Sequence, residues 1–115
     1  MTRDAIRTYC LALPHVTERP QFHHAAFQIG GKSFAMLNLD VEGFALAFKC
    51  TPEDFAELIE IPGVVPAPYL ARAHWVALTD FDSLPMQELK AWLTKSREVM
   101  LSKLPKNAQA KLGRP

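Results

Sequence analysis

Several features that would announce a function are missing from this sequence. No apolar run approaches the roughly 18 residues a membrane-spanning helix requires, so no spanning segment is expected. Two cysteines, Cys10 and Cys50, are too few for a disulfide framework, and reduced thiols in a cytoplasm are the expectation. The start Met1-Thr2-Arg3-Asp4 carries charge with no apolar run behind it, which argues against a secretory signal. HExxH, CxxC and His-x-His spacings are absent, and the adjacent His23 and His24 would point opposite ways on a strand, so no metal site is expected. There is also no nucleophile elbow, no phosphate-cradling glycine loop and no carboxylate pair at a telling spacing. The expectation is therefore a protein without enzymatic chemistry, catalytic residues or cofactor.

What is present is enough for one domain. The 115 residues supply a single unit, 1–115, with no repeat or internal linker and a basic tail over about 105–115. Folding a chain of this size buries roughly two-thirds of its unfolded surface. Apolar residues at 49% and charged residues at 22% match a globular protein and exclude disordered and coiled-coil readings.

The net charge of +1 hides an asymmetry. From Met86 onward seven cations face two acids, and residues 1–85 carry six cations against ten acids. After Glu98 there is no acid at all. Such a division between halves points to an anionic partner for the basic end. The plain alternative is a solvated helix end and a soluble tail.

Residues 2–13 read as a helix with Ile6, Tyr9, Cys10 and Leu13 on one stripe, Thr2 as cap and Pro14 as stop. Pro14 to Pro20 has no period and two prolines, so it reads as loop. Ala25–Ile29 and Ser33–Leu39 are strands joined by Gly30-Gly31-Lys32, a tight hairpin. Asp40-Val41-Glu42-Gly43 turns into a third strand, Phe44–Cys50. There Phe44, Leu46 and Phe48 share one face, and Ala45, Ala47 and Lys49 the other.

Thr51-Pro52-Glu53-Asp54 starts a helix running to about Glu60, with Phe55, Leu58 and Ile59 inward. Val64-Val65 and His74–Leu78 are the last strands, separated by the stiff Pro66-Ala67-Pro68-Tyr69-Leu70. A long helix over about 85–104 places Met86, Leu89, Leu93, Ser96, Met100 and Lys103 at 3-4 spacing, with Lys90, Arg97 and Glu98 on the other side. One further helical turn is expected before Gly113. The order α-β-β-β-α-β-β-α implies an α+β fold in two layers, an antiparallel sheet with helices on one face.

Five stretches, in this order, carry a family resemblance. They are Thr8 to Pro14, Gly30 to Ala35, Phe48 to Glu53, Pro62 to Leu70 leading to His74-Trp75-Val76, and Lys103-Leu104-Pro105-Lys106. Together they span nearly the whole chain, which resembles the MmcQ/YjbR family of small bacterial domains. The resemblance implies the two-layer order α-β3-α-β2-α and a DNA-binding label. That label rests on the fold's similarity to a double-wing DNA-binding domain, which is analogy at the level of fold.

The cationic candidate residues follow from the charge asymmetry and from the DNA-binding label that the resemblance implies. Lys103, Lys106, Lys111 and Arg114, with Lys95 and Arg97 one or two turns earlier, are candidates for the phosphates of double-stranded DNA. Against this stand a sequence pI near 7.8 and the absence of a helix-turn-helix or zinc-finger signature. Lys49 on the small-residue face of its strand is a further phosphate candidate, or a solvated sheet lysine. Whether Trp75 or His74 joins Lys49 depends on register.

The alternative function is a protein–protein adaptor or small chaperone-like module, which the resemblance implies because the family's two-layer arrangement is similar to that of small secretion-chaperone-type proteins. It would use the sheet face and the Pro66–Tyr69 loop, with Tyr69 and Trp75 as anchors. Cys50, just before a helix cap, is a candidate reactive thiol, whereas Cys10 on an apolar stripe reads as buried.

Overall fold

A computed structural model describes residues 1–40 and 42–112, and its elements follow from local chemistry that the chain spells out. Helix α1 (Arg3–Ala12) begins where the Thr2 hydroxyl accepts from the Ala5 amide at 3.1 Å, and it ends at Leu13, extended ahead of Pro14. Strands β2 (His24–Ile29) and β3 (Lys32–Asn38) are joined by Gly30 and Gly31, at φ +56° and +82°. That pair of left-handed residues is what a two-residue hairpin turn needs to match strand twist. Strand β4 (Leu46–Lys49) leads into helix α2 (Pro52–Leu58), capped by the Thr51 hydroxyl on the Asp54 amide at 3.1 Å. Strand β5 (Val64–Pro66), a 3-10 turn (Ala71–Ala73), strand β6 (Trp75–Leu78), helix α3 (Met86–Leu101) and helix α4 (Lys106–Leu112) complete the chain.

One element departs from the sequence reading. Thr17–Gln21 is strand β1, where the two prolines and missing alternation read as loop. It pairs antiparallel with β2 from Thr17 opposite Gln28 to Gln21 opposite His24. It lies at the sheet edge, mostly exposed, where a proline such as Pro20 costs no ladder bond in a central strand. An edge strand has one neighbour and no buried face, so it leaves little hydrophobic pattern to read. The observed order is therefore α-β-β-β-β-α-β-β-α-α. The α+β fold with two layers stands, as a six-stranded antiparallel sheet in the order β1-β2-β3-β4-β6-β5.

The helices share one face of that sheet. Ile6 and Cys10 from α1, Leu58 from α2, and Leu89 and Leu93 from α3 meet Phe27, Ile29, Leu37, Leu46, Phe48, Val76 and Leu78 in the main core. On the opposite face a smaller cluster forms from Ala47, Ala67, Trp75 and Ala77, with Met36, Phe44 and Leu70 around it. Phe44 thus belongs with Ala47, not with Leu46 and Phe48. The strand starts only at Leu46, and Phe44 in the preceding turn stacks on the His24 ring at 5.5 Å between centroids.

A second correction concerns α3. Arg97, read as part of the solvent side, is buried, while Met86 at its start is exposed. Within the basic tail expected after Pro105, the one helical turn expected before Gly113 is a longer helix, α4, of seven residues. Gln109 ties it to the end of α3, its amide donating to Leu104 O at 2.7 Å and Ser102 O at 3.2 Å.

Antiparallel pairing gives the sheet two ends. One end carries the Phe22-His23 turn, the 39–44 turn and the loop after β6, with the acids Asp40, Glu42, Asp80 and Asp82. The other end carries the Gly30-Gly31 turn, the end of β4, His74 and the C-terminal ends of α3 and α4.

Candidate functional site

At this second end a cleft of about 410 Å³ opens between the end of β4, the start of α2, His74 and the last turn of α3. Lys49 and Cys50 form its floor, and Val99, Ser102 and Lys103 form one wall. The Ser96 hydroxyl, buried, donates to Lys49 O at 2.6 Å and fixes α3 against the end of β4. Such a bond from a helix interior to a neighbouring strand sets where the following turns of the helix stand. It is what brings Lys103 near Lys49, residues 54 positions apart in sequence.

Lys49 is 9% exposed, and its ammonium donates to Ala73 O. Burial lowers its pKa first, and the Lys103 charge lowers it further. His74 sits at φ +60°, closing the 3-10 turn, with its ring edge-on to Phe55 at 5.6 Å. A residue with a Cβ held in the left-handed region is uncommon, and here it turns the chain so that His74 O accepts from the Cys50 amide at 2.9 Å. Register answers the question left open by sequence. Trp75 pairs directly with Lys49 and shares its face. Trp75 is only 5% exposed, packed with Ala47, Ala67 and Ala77.

The sequence candidates separate into two groups. Lys103, Lys106 and Lys111 are exposed and make no ion pair among the described residues. The Lys95 ammonium, by contrast, lies 2.6 Å from a carboxylate oxygen of Asp54 and 5.5 Å from the centre of the Trp92 ring. The bond to Asp54 raises its pKa. Arg97 turns inward, its guanidinium donating to Pro14 O at 2.9 Å and Leu112 O at 3.2 Å. Both groups are engaged within the protein. Arg114 lies outside the described residues. Tyr69 is fully exposed at φ +65° on the proline-framed loop.

Two residues that sequence reasoning did not bring to this site are His74, weighed only for its strand face, and Ser102. Lys32, beside the Gly30-Gly31 turn, is exposed at the same end of the sheet. None of these carries a motif, because the cleft joins three separate segments, 49–52, His74 and 99–103.

Both cysteines are buried. Burial pushes the thiols of Cys10 and Cys50 up to about 12, the reverse of the lowered value a reactive Cys50 requires. A disulfide-based thiol reagent at pH 8 is expected to find neither thiol in the native protein and both after denaturation. A thiol whose folded pKa is raised stabilises the fold fully below its unfolded value of 9.0, and that stability is lost as pH rises toward 12. For Cys10 the gap corresponds to about 4 kcal/mol by pH 12. Lys49, with its folded value lowered, works in the opposite sense as pH approaches 10.5. Urea midpoints from pH 8 to 11 check the net fall, and Cys10→Ala should flatten it.

Among the described residues no group of three histidine, cysteine or acidic side chains comes together to hold a metal ion, and no helix is long and apolar enough to cross a membrane.

Comparison with known proteins matches residues 11–99 to the family model described as YjbR. A Deinococcus radiodurans crystal structure, described as containing a DUF419 domain, is similar over 99% of this chain and 89% of its own. It shows 27% identity and a TM-score of 0.87. A crystal structure from Pseudomonas syringae is similar over 86% of this chain and 98% of its own, at 19% identity and a TM-score of 0.71, a likeness of fold. No curated protein matches the chain.

Proposed function

This chain belongs to the YjbR family, and from that premise we propose that it is a non-enzymatic binder of double-stranded DNA. In this reading the phosphate backbone meets the basic end of the sheet through Lys103, Lys106 and Lys111, with Lys49 behind them. The observation that carries the reading is the attachment of α4. Gln109 and Arg97 hold that helix to the end of α3, so Lys106 and Lys111 stand at the same end of the molecule as Lys103. Gly30 supports this placement, because a Cβ there would meet side-chain atoms of both Leu104 and Leu112 within 3.1 Å. The far end carries Asp40, Glu42, Asp80 and Asp82, with Arg3 and the N-terminal ammonium among them. At the basic end Lys95 answers Asp54 at the start of α2, which leaves the three lysines as the charges available to a polyanion there. Lys95 and Arg97 are not counted, because Asp54 and backbone carbonyls already engage them.

Backbone contacts of this kind are electrostatic and indifferent to sequence, and they release counterions. Titrating a random-sequence duplex against salt is expected to give a slope of about −2.7 in log K against log salt for three lysine contacts. Changing Lys103, Lys106 and Lys111 together to serine is expected to bring the slope close to zero, with Tm unchanged. No measurable binding at low salt, or a slope that the triple variant leaves intact, would remove the DNA reading.

A further inference from the structure

The cleft between Lys49 and Lys103 has a chemistry that duplex binding does not use. A buried ammonium is costly unless its donors and its charge are answered. Lys49 has three N–H donors, and the one acceptor its ammonium meets among the described residues is Ala73 O. Among the described residues no carboxylate lines the cleft. Its charged side chain on the opposite wall is a second lysine, Lys103, and His74 closes it with an imidazole that makes no hydrogen bond among the described residues. Lys95 and Asp54, nearby, neutralise each other. The result is a recessed site lined by two lysines and, among the described residues, by no carboxylate. Burial first, and then the Lys103 charge, lower the pKa of Lys49.

We infer that the cleft seats a phosphomonoester, its dianionic head between the Lys49 and Lys103 ammonium groups and beside the His74 ring. The charge matches. A phosphomonoester carries about −1.5 to −2 at neutral pH and presents three strong acceptor oxygens, whereas each phosphodiester of a duplex carries a single charge. The size matches as well, because about 410 Å³ exceeds a bare phosphate and lies within the range of small-molecule sites, roughly 300–1,000 Å³. The bound group is the head of a small phosphorylated molecule or the terminal phosphate of a nucleic acid strand. Both present the same chemistry to the two lysines. This inference shares Lys49 and Lys103 with the duplex reading but stands apart from it, since Lys106 and Lys111 take no part.

The test is equilibrium titration of the full chain with inorganic phosphate, at constant ionic strength maintained with chloride. Saturable binding is expected for the unaltered protein. Lys103→Ser, at an exposed position that leaves the fold intact, should weaken it about tenfold, and Lys49→Met should abolish it. Lys111→Ser should leave it unchanged. A response no different from chloride, or equal weakening in Lys103→Ser and Lys111→Ser, overturns the inference.

Two further probes identify the source. Tighter binding of a 5′-phosphorylated duplex than of the same duplex without the phosphate indicates a strand end. Binding of glycerol phosphate without that difference indicates a small molecule. Absence of both overturns the site. If phosphate fails while the salt slope on internal duplex survives, this inference falls alone.

Discussion

Replacing Arg97 with alanine is expected to destabilise the protein by about 2–4 kcal/mol. The guanidinium is 7% exposed and bridges Pro14 O, just after α1, to Leu112 O at the end of α4. Removing it leaves two carbonyls without their charged donor and loosens α4, which then keeps only the Gln109 bonds and the Leu112 packing. A hydrogen bond to a charged group contributes about 1.5–3 kcal/mol, and buried partners left unpaired add a desolvation cost. Urea denaturation reads the loss, and hydrogen exchange should show protection disappearing first across 106–112. Arg97→Lys should restore only part of it, because an ammonium is a point donor and cannot span two carbonyls as the planar fork does. A loss below about 0.5 kcal/mol, typical of an exposed surface residue, would return Arg97 to the set of free cations.

The second large effect is at Leu93. Its side chain is fully buried where α3 lies across the sheet, in one cluster with Phe27, Leu37 and Phe48. Leu93→Ala is expected to cost about 2–5 kcal/mol, the lost transfer energy plus the cavity left in a rigid neighbourhood. Lys90, one turn earlier, is half-buried, with its ammonium 5.6 Å from the centre of the Tyr9 ring. Lys90→Ala should therefore cost about 0.5–1 kcal/mol, the size of a partly exposed cation–π contact. Equal effects at the two positions would mean that α3 turns a different face to the sheet.

These two residues show how far a helical pattern carries. Leu89, Leu93 and Ser96 fall on the expected stripe and are buried, since periodicity reports which side faces a core. Arg97 sits one position beyond Ser96, at the margin of that stripe. A long side chain there can reach either solvent or a carbonyl, and only the placement of Pro14 and Leu112 decides which. The same holds for Lys95, whose partner Asp54 begins a different helix. Strand β1 escaped because its pairing with β2, not its own side chains, makes it a strand.

The cations after Glu98, the Gly30-Gly31 turn, the Thr51-Pro52 helix start and the main apolar faces were all written in local sequence. Each depends on neighbours within one or two turns, where backbone sterics, caps and periodicity act. The cleft at Lys49 is of another kind. It needed β4 to pair with β6, so that Trp75 and His74 arrive beside Lys49, and it needed the Ser96 bond to bring Lys103 over the end of the strand. Charge in a sequence can be counted, but which charges are answered by a neighbour depends on distances that only packing across the sheet sets.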